Sequence, residues 1–247
     1  MSVWDHFLLW LFKENGLVMQ VDKNFVPGRR KMVFVSTGRC GTRRLYEIFH
    51  EFLPASCFEV RHQMPGSRLA NVVGNLLFHM GGGAFVREWA YRMVIGSPRE
   101  DRSLIITDPL TAMVLPESWI RSDSVAVVQI VREDEGFARS MFRLTRSRRN
   151  SFLAHNFIPF WQPFLFPLQN MLDSRIQQVY RRINRKKNRF LYLQCRKNSH
   201  YRQIPMTHLF QPRTLENLIL DFFGFPLSIP ETALSVRSNA SSTVPNY

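Results

Sequence analysis

Continuous runs of apolar residues are the feature of this sequence that most restricts its fold. Four such runs do not alternate with polar residues, and the first three of them are rich in β-branched residues: Met32–Ser36, Ser103–Thr107, Val125–Val131 and Phe190–Cys195. Strands that are covered on both faces have this pattern, and covered strands are typical of parallel sheets. The sequence therefore predicts four strands within an α/β structure.

Stretches with helical character lie between these runs. They are Thr42–Leu53, parts of Ser67–Met93 around a break at Gly81–Gly83, Gly136–Arg149, Asp173–Lys187 and Arg213–Phe223. When strands and helices alternate along a chain, the helices cover both faces of a parallel sheet. We therefore predict an α/β fold, a three-layer α/β/α sandwich with a mostly parallel central sheet.

The length of the chain favours a single domain. Its 247 residues are 45% hydrophobic, which is enough to bury one substantial core. We expect one domain over residues 1–247, with a core at about 31–242. Residues 54–102 and the proline- and aromatic-rich residues 151–172 are expected to form lids or substrate insertions.

The charge of the chain suggests an anionic ligand. The sequence has 33 Lys and Arg against 19 Asp and Glu, a formal net charge of +14. Such a field attracts phosphate, sulfate, nucleic acid or an anionic membrane surface, and charge alone does not choose among them. The apolar N-terminal stretch at residues 3–12 is too short to span a membrane. It predicts a packing helix or, as the less favoured reading, peripheral contact with an anionic membrane.

The cysteines indicate a reducing, cytoplasmic location. Cys40, Cys57 and Cys195 are odd in number and far apart, without a CxxC pair. The sequence therefore predicts neither a disulfide framework nor a zinc site.

The turn after the first apolar run has the residues of an anion-binding loop. The segment Val33–Arg44 reads VFVSTGRCGTRR and leads from a predicted strand into a predicted helix. Unpaired backbone N–H groups and the helix dipole favour an anion at such a turn. Gly38 and Gly41 allow close approach, Arg39 offers a fork of donors, and Thr42 a hydroxyl. The loop is not a Walker A sequence, because no Gly-Lys-Ser/Thr follows, and taken alone it could equally be a plain connection.

A second motif follows the third apolar run. Arg132 lies at the predicted C-terminal end of that strand, and Ser140 lies eight positions later in the next helix. Together with the loop STGRCGT, this pair resembles the PAPS-dependent sulfotransferases. The late segment Thr214–Pro226 is also similar to a helix of that family, and the resemblance covers roughly residues 31–242.

The resemblance implies a fold, a donor and a set of binding residues. The fold would be the P-loop NTPase-like sulfotransferase fold, with PAPS as donor, PAP as product and no metal. The 5′-phosphosulfate would be bound by the loop, and the 3′-phosphate by Arg132 and Ser140. The loop residues concerned are Thr37, Gly38, Arg39, Cys40, Gly41, Thr42 and Arg43.

The sequence departs from the family pattern at several positions. Arg39 stands where many members have lysine, which preserves the charge and adds a planar fork. Arg43 replaces a second threonine, and Arg44 takes a place that often holds an aromatic residue. Glu133 and Asp134 replace the usual Asp-Pro after Arg132. These changes are expected to affect catalytic geometry more than donor binding.

Three residues are candidates for catalysis. Arg39 is expected to stabilise charge on the bridging and sulfuryl oxygens. Two residues compete for the role of general base, namely His62 and Asp108, the latter standing where the family segment carries its histidine. Imidazole titrates near neutrality, whereas an aspartate would need burial to act as a base, so His62 is slightly favoured. The alternatives are a surface role for His62 and a helix-capping role for Asp108.

Two other classes of function stay open. The basic runs Arg143–Asn150 and Tyr180–Arg189 would suit a non-catalytic polyanion- or nucleic-acid-binding module, although no recognised nucleic-acid motif accompanies them. A P-loop nucleotide kinase is the other alternative, but the loop lacks its lysine. For a sulfotransferase, the acceptor would be a small molecule, a glycan or a lipid, and specific nucleic-acid binding is not expected.

Overall fold

A central sheet of five parallel strands organises the molecule. The computed structural model describes residues 30–80, 83–96, 101–147, 173–211 and 213–235, and positions 153, 154, 158, 160 and 161. The strands are β1 Lys31–Ser36, β2 Phe58–Arg61, β3 Ser103–Ile106, β4 Val125–Val131 and β5 Arg202–Pro205. Their spatial order is β2-β3-β1-β4-β5, and every adjacent pair is parallel. The predicted α/β class with a parallel sheet is confirmed.

Helices cover both faces of this sheet. They are α1 Thr42–Phe52, α2 Ser67–Met80, α3 Ala84–Ile95, α4 Glu117–Ile120, α5 Asp134–Ser147, α6 Asp173–Cys195, α7 Met206–Leu209, α8 Thr214–Phe223 and α9 Glu231–Ser235. A 3₁₀ helix spans Pro109–Val114. No helix among the described residues is long and apolar enough to cross a membrane.

The central strand β1 explains why its sequence does not alternate. All six of its residues are buried. Val33 and Val35 face one core cluster together with residues of α2, α3 and α6, whereas Met32 and Phe34 face another with residues of α1 and α8. Because both faces are covered, both sets of side chains are apolar, as predicted.

One predicted strand is wrong. Residues Phe190–Cys195 belong to the last two turns of α6. Leu191 and Cys195, four residues apart, are fully buried, whereas Tyr192 and Leu193 are 40% and 45% exposed. The apolar run therefore has helical periodicity, and its two exposed members conceal the pattern.

Two strands were not predicted, and both are edges of the sheet. β2 reads FEVR and β5 reads RQIP, so each is four residues long and at least half polar. An edge strand is only partly covered and tolerates charge and proline. In the segment 54–102, the described residues form β2, α2 and α3 as well as part of the core. Its role as a lid stays a prediction. The N-terminal stretch 3–12 and most of 151–172 lie outside the described residues.

The connections from β1 and β4 lead to opposite faces of the sheet, and parallel α/β sheets have their ligand-binding crevice at such a point. The two strands are neighbours, with Ser36 opposite Ile130 near their C-terminal ends. β1 leads into α1, which packs on the face with Met32 and Phe34. β4 leads into α5, which packs against α6, and α6 contributes Leu191 to the opposite face. In parallel α/β sheets, ligands bind where successive helices leave neighbouring strands on opposite faces.

Candidate functional site

The loop after β1 has an unusual backbone that turns the chain into α1. Gly38 (φ 92°), Arg39 (φ 57°) and Gly41 (φ 76°) all adopt left-handed conformations. A left-handed arginine is strained, so the surrounding structure must hold it in place. The ring of Phe210 lies so close to Gly41 that an added Cβ would be 2.7 Å from its Cε2 atom. The conformation of this loop therefore depends on tertiary contacts as well as on its glycines.

The two motifs singled out in the sequence meet at the ends of β1 and β4. The Arg39 Nε donates to the Ser140 Oγ at 3.1 Å, although the two residues are 101 positions apart. The Arg132 Nη1 donates to the backbone carbonyl of Arg39 at 2.5 Å. Arg132 directly follows β4, as predicted, and Ser140 lies in α5. Two arginines and a hydroxyl thus converge where the topology places a crevice.

Asn184 connects this loop to the helical layer. It lies in α6 and is fully buried. The Thr37 hydroxyl donates to its Oδ1 at 2.7 Å, and its Nδ2 donates to the Arg132 carbonyl and to the Asp134 Oδ1, both at 2.9 Å. One amide therefore joins the loop, the end of β4 and the start of α5. Asn184 belongs to no sequence motif, and the only signal for it in the sequence is an uncharged residue on the buried face of a strongly basic helix.

The remaining loop residues differ in their exposure. Thr42 is buried and begins α1, while Cys40 is fully buried and its Sγ donates to the Gly38 carbonyl at 3.1 Å. Burial raises the pKa of the Cys40 thiol to about 11, so it is protonated at neutral pH. Arg43 is exposed and pairs with Glu47 at 3.2 Å, one helical turn away. Arg44 points away from the loop, because its guanidinium donates to the carbonyl of Ala233 in α9.

His62 immediately follows β2 and is half-buried. Its Nδ1 lies 3.1 Å from the Thr107 carbonyl oxygen and 3.2 Å from the Thr107 Oγ1. A proton on Nδ1 would satisfy the carbonyl and leave Nε2 as the basic nitrogen. The imidazole stacks on the ring of Tyr46 in α1, with centroids 5.7 Å apart. Burial lowers the pKa of His62, an effect that the charge of Asp108 partly opposes, so the neutral form dominates at pH 7.

Asp108 is fully buried, and its carboxylate is occupied by structural partners. Oδ1 accepts from the backbone N–H of Leu110 at 2.9 Å and so caps the 3₁₀ helix. Oδ2 accepts from the backbone N–H of Met64 at 3.2 Å and from the Ser67 hydroxyl at 2.5 Å. Asp108 thereby holds the segment that carries His62 against the end of β3.

The candidate residues thus form two groups. Arg39, Arg132 and Ser140 lie together at the ends of β1 and β4, whereas His62 and Asp108 lie at the ends of β2 and β3. Helix α1 links the groups, since it begins after the loop and carries Tyr46 against His62. Within the described residues there is no cluster of three or more His, Cys, Asp or Glu side chains that could hold a metal ion.

Comparisons with known proteins find a similarity among solved structures. No protein-family profile matches the chain, and no curated protein matches it. Among solved structures, the chain is similar to the sulfotransferase from Alicyclobacillus acidocaldarius, at 12% identity and a TM-score of 0.44. The similarity covers 86% of this chain and 87% of the other.

Proposed function

We propose that the protein is a sulfotransferase that transfers a sulfuryl group from PAPS to a hydroxyl or amine acceptor. The observation that carries the proposal is the contact between the two sequence motifs. The loop after β1 and the Arg132–Ser140 pair after β4 resemble the two donor-binding motifs of that family, and Arg39 contacts both members of the pair.

The residues in the crevice suit a ligand with two separated anionic groups. The loop would bind the 5′-phosphosulfate through backbone N–H groups at the start of α1 and through the guanidinium of Arg39. Arg132 and Ser140 would bind the 3′-phosphate. Burial lowers the pKa of Arg132, so its charge is partly desolvated, and a bound phosphate would compensate for the lost hydration.

His62 is the better of the two candidate bases. The carboxylate of Asp108 is fully buried and accepts three hydrogen bonds, so it has no access to an acceptor proton. His62 is half-buried and neutral, and Thr107 orients its ring. We assign His62 to proton abstraction from the acceptor, Asp108 to positioning of the His62 segment, and Arg39 to stabilisation of charge on the transferred group.

The donor assignment is tested by calorimetry. PAP and PAPS should bind more tightly than ATP, since the loop lacks the lysine and hydroxyl arrangement of a Walker A motif. A transfer screen with labelled PAPS against small alcohols, glycans and lipid headgroups would then identify the acceptor. Preferential binding of ATP would replace the proposal with the nucleotide-kinase alternative.

The exposed basic residues of α5 and α6 favour a second candidate, a polyanion-binding module. These exposed residues are Arg139, Arg143, Arg146, Arg175, Arg182, Arg185, Lys186 and Arg189. Such a module would bind duplex DNA or heparin with a steep dependence on salt concentration and would have no preference for PAP. The same calorimetric series, with DNA added as a ligand, separates the two candidates.

A further inference from the structure

Helix α6 carries a basic stripe along its exposed side. The cations of the stripe follow one another at helical spacings, so they share one face. The opposite side of the helix is buried and includes Tyr180, Asn184, Lys187 and Leu191. The stripe is about 30 Å long. Its residues are Arg175, Arg182, Arg185, Lys186, Arg189 and, directly after the last turn, Arg196.

Helix α5 packs beside α6 and adds to this charge. Its exposed cations are Arg139, Arg143 and Arg146. The carboxylates of the two helices lie near their starts, and those of Asp134 and Glu135 each pair with an arginine of α6. The cations clearly outnumber the acidic residues of this region, which are Glu133, Asp134, Glu135 and Asp173. The region therefore has a local excess of positive charge, which attracts an extended anionic surface.

Apolar side chains are exposed at the C-terminal end of the same stripe. Tyr192 and Leu193 are 40% and 45% exposed. The guanidinium carbon of Arg196 lies 5.6 Å from the centre of the Tyr192 ring, so cationic and apolar groups adjoin there. Basic residues beside aromatic and aliphatic ones suit the boundary between lipid headgroups and acyl chains. The phosphate backbone of a nucleic acid would offer Leu193 no apolar partner.

The N-terminal segment joins the fold at this same end. The N–H of Lys31, at the start of β1, donates to the Ser124 carbonyl at 2.8 Å. Asn198, which follows α6, donates to the adjacent carbonyl of Val125 at 2.9 Å. The sequence before β1 contains the apolar stretch VWDHFLLWLF at residues 3–12. Residues 13–30 span up to about 60 Å when extended, so this stretch is within reach of the exposed end of α6.

We propose that the basic stripe of α6, flanked by the arginines of α5, docks on an anionic membrane surface into which residues 3–12 insert. Stable attachment of a protein to a membrane requires two signals, such as a polybasic patch together with an apolar group. The stripe and the N-terminal stretch would be these two signals. The inference concerns a partner of the protein and does not depend on the proposed sulfuryl transfer.

The test is cosedimentation of the full chain with phosphatidylcholine vesicles, with and without phosphatidylserine. Wild type should bind only the vesicles that contain phosphatidylserine, and added salt should weaken the binding because it screens the attraction. The triple variant Arg175→Gln, Arg182→Gln, Arg189→Gln should bind about a hundredfold more weakly, at roughly fivefold for each lost cation. Circular dichroism checks the fold.

A matched control removes the same charge from other surfaces. Arg68, Arg202 and Arg213 are exposed and lie outside both helices. Replacing these three with Gln should leave vesicle binding within about threefold of wild type, because attraction to the membrane falls off within a Debye length.

A further variant tests insertion of the N-terminal stretch. Phe7→Ser combined with Trp10→Ser should weaken vesicle binding by at least about tenfold, since two large apolar side chains are lost from the membrane. Without vesicles, the free energy of unfolding should not change. A large loss of stability would show instead that residues 3–12 are a packing helix and would overturn the insertion.

Other outcomes would overturn the docking surface. Wild type that ignores phosphatidylserine, or that binds duplex DNA in preference to the vesicles, would exclude a membrane partner, and the DNA result would favour the polyanion-binding module. Equal losses in the stripe variant and the control variant would mean that net charge, rather than the stripe, causes the binding.

Discussion

Arg132 has few of the features of an ordinary surface arginine. It is half-buried, it donates to the carbonyl of the left-handed residue Arg39, and its own carbonyl is held by Asn184. This arrangement fixes the backbone around the guanidinium while leaving several of its donors available to a ligand. Its effect should therefore appear in binding more than in stability.

We predict that Arg132→Ala and Ser140→Ala weaken PAP binding without unfolding the protein. The arginine should contribute more, since loss of a charge-assisted contact costs on the order of 1.5–3 kcal/mol, about ten- to more than a hundredfold in affinity. Calorimetry with PAP measures the effect, and circular dichroism checks the fold. Unchanged affinity in a folded Arg132→Ala variant would remove the donor-site assignment.

The two candidate bases make opposite predictions for turnover. His62→Ala should reduce the transfer rate by about 10²–10⁴-fold with PAP affinity nearly unchanged, because general-base catalysis contributes about that much. Since burial lowers the pKa of His62, the rate should fall only as pH drops below the usual range of imidazole, where the ring becomes protonated. A pH–rate profile with labelled PAPS measures both effects.

The matched variant is Asp108→Asn, which is expected to lower stability and to reduce turnover less than His62→Ala does. Its amide nitrogen would face the donors of Met64 and Ser67, which now bond to a carboxylate oxygen. If Asp108→Asn abolished turnover while His62→Ala remained active, the two roles would be reversed.

Gly41 joins the loop after β1 to helix α1. Gly41→Ala should destabilise the protein by about 2–4 kcal/mol, because a left-handed alanine is strained and its Cβ would displace the Phe210 ring. Gly224, at the end of α8, is the control: it is also left-handed (φ 70°), but nothing lies within 4 Å of an added Cβ. Gly224→Ala should cost only about 1–2 kcal/mol. Equal losses in urea denaturation would show that the contact with Phe210 has no effect.

The strands that the sequence predicts correctly are those that are buried on both faces. β1, β3 and β4 are central strands with both faces covered, so burial alone determines their residues. The edge strands β2 and β5 are half polar, so their sequences do not indicate strands. They are recognised only by their pairing with β3 and β4. The end of α6 was predicted as a strand because Tyr192 and Leu193 are apolar yet exposed.

The same distinction applies to the candidate site. Arg39, Arg132 and Ser140 belong to motifs with fixed local spacing. The sequence alone therefore predicts that these residues lie close together. Asn184 belongs to no motif, and it contacts the loop only because α6 packs across β1 and β4. Its placement is a tertiary property that a single sequence does not express. The donor-binding roles of Arg39, Arg132 and Ser140 stay predictions.

At the scale of the whole molecule, Lys187 should lower stability at neutral pH. Its pKa is about 8 in the folded protein against a usual value of 10.5, so unfolding takes up a proton between these two values. The penalty is fully present below pH 8 and is relieved as pH rises toward 10.5. Lys187→Met should therefore raise the free energy of unfolding at pH 7 by up to about 3 kcal/mol.

The measurement is urea denaturation of wild type and Lys187→Met at pH 7 and pH 10. Taking the difference between the two proteins removes the contributions of other groups that titrate in this range. The stabilisation should be much smaller at pH 10. A difference that did not change with pH would mean that the ammonium is not desolvated in the folded state.

The contact between Arg39 and Ser140 also determines when the binding crevice can exist during folding. Closing a chain segment of 101 residues is slow compared with the formation of local helices, so β4 is expected to dock beside β1 late. A ligand that binds only the completed crevice would act after the rate-limiting barrier. In stopped-flow experiments, PAP at about 100 times its Kd should slow unfolding by about a hundredfold and leave the refolding rate unchanged. Faster refolding with PAP would place the β1–β4 pairing before the barrier.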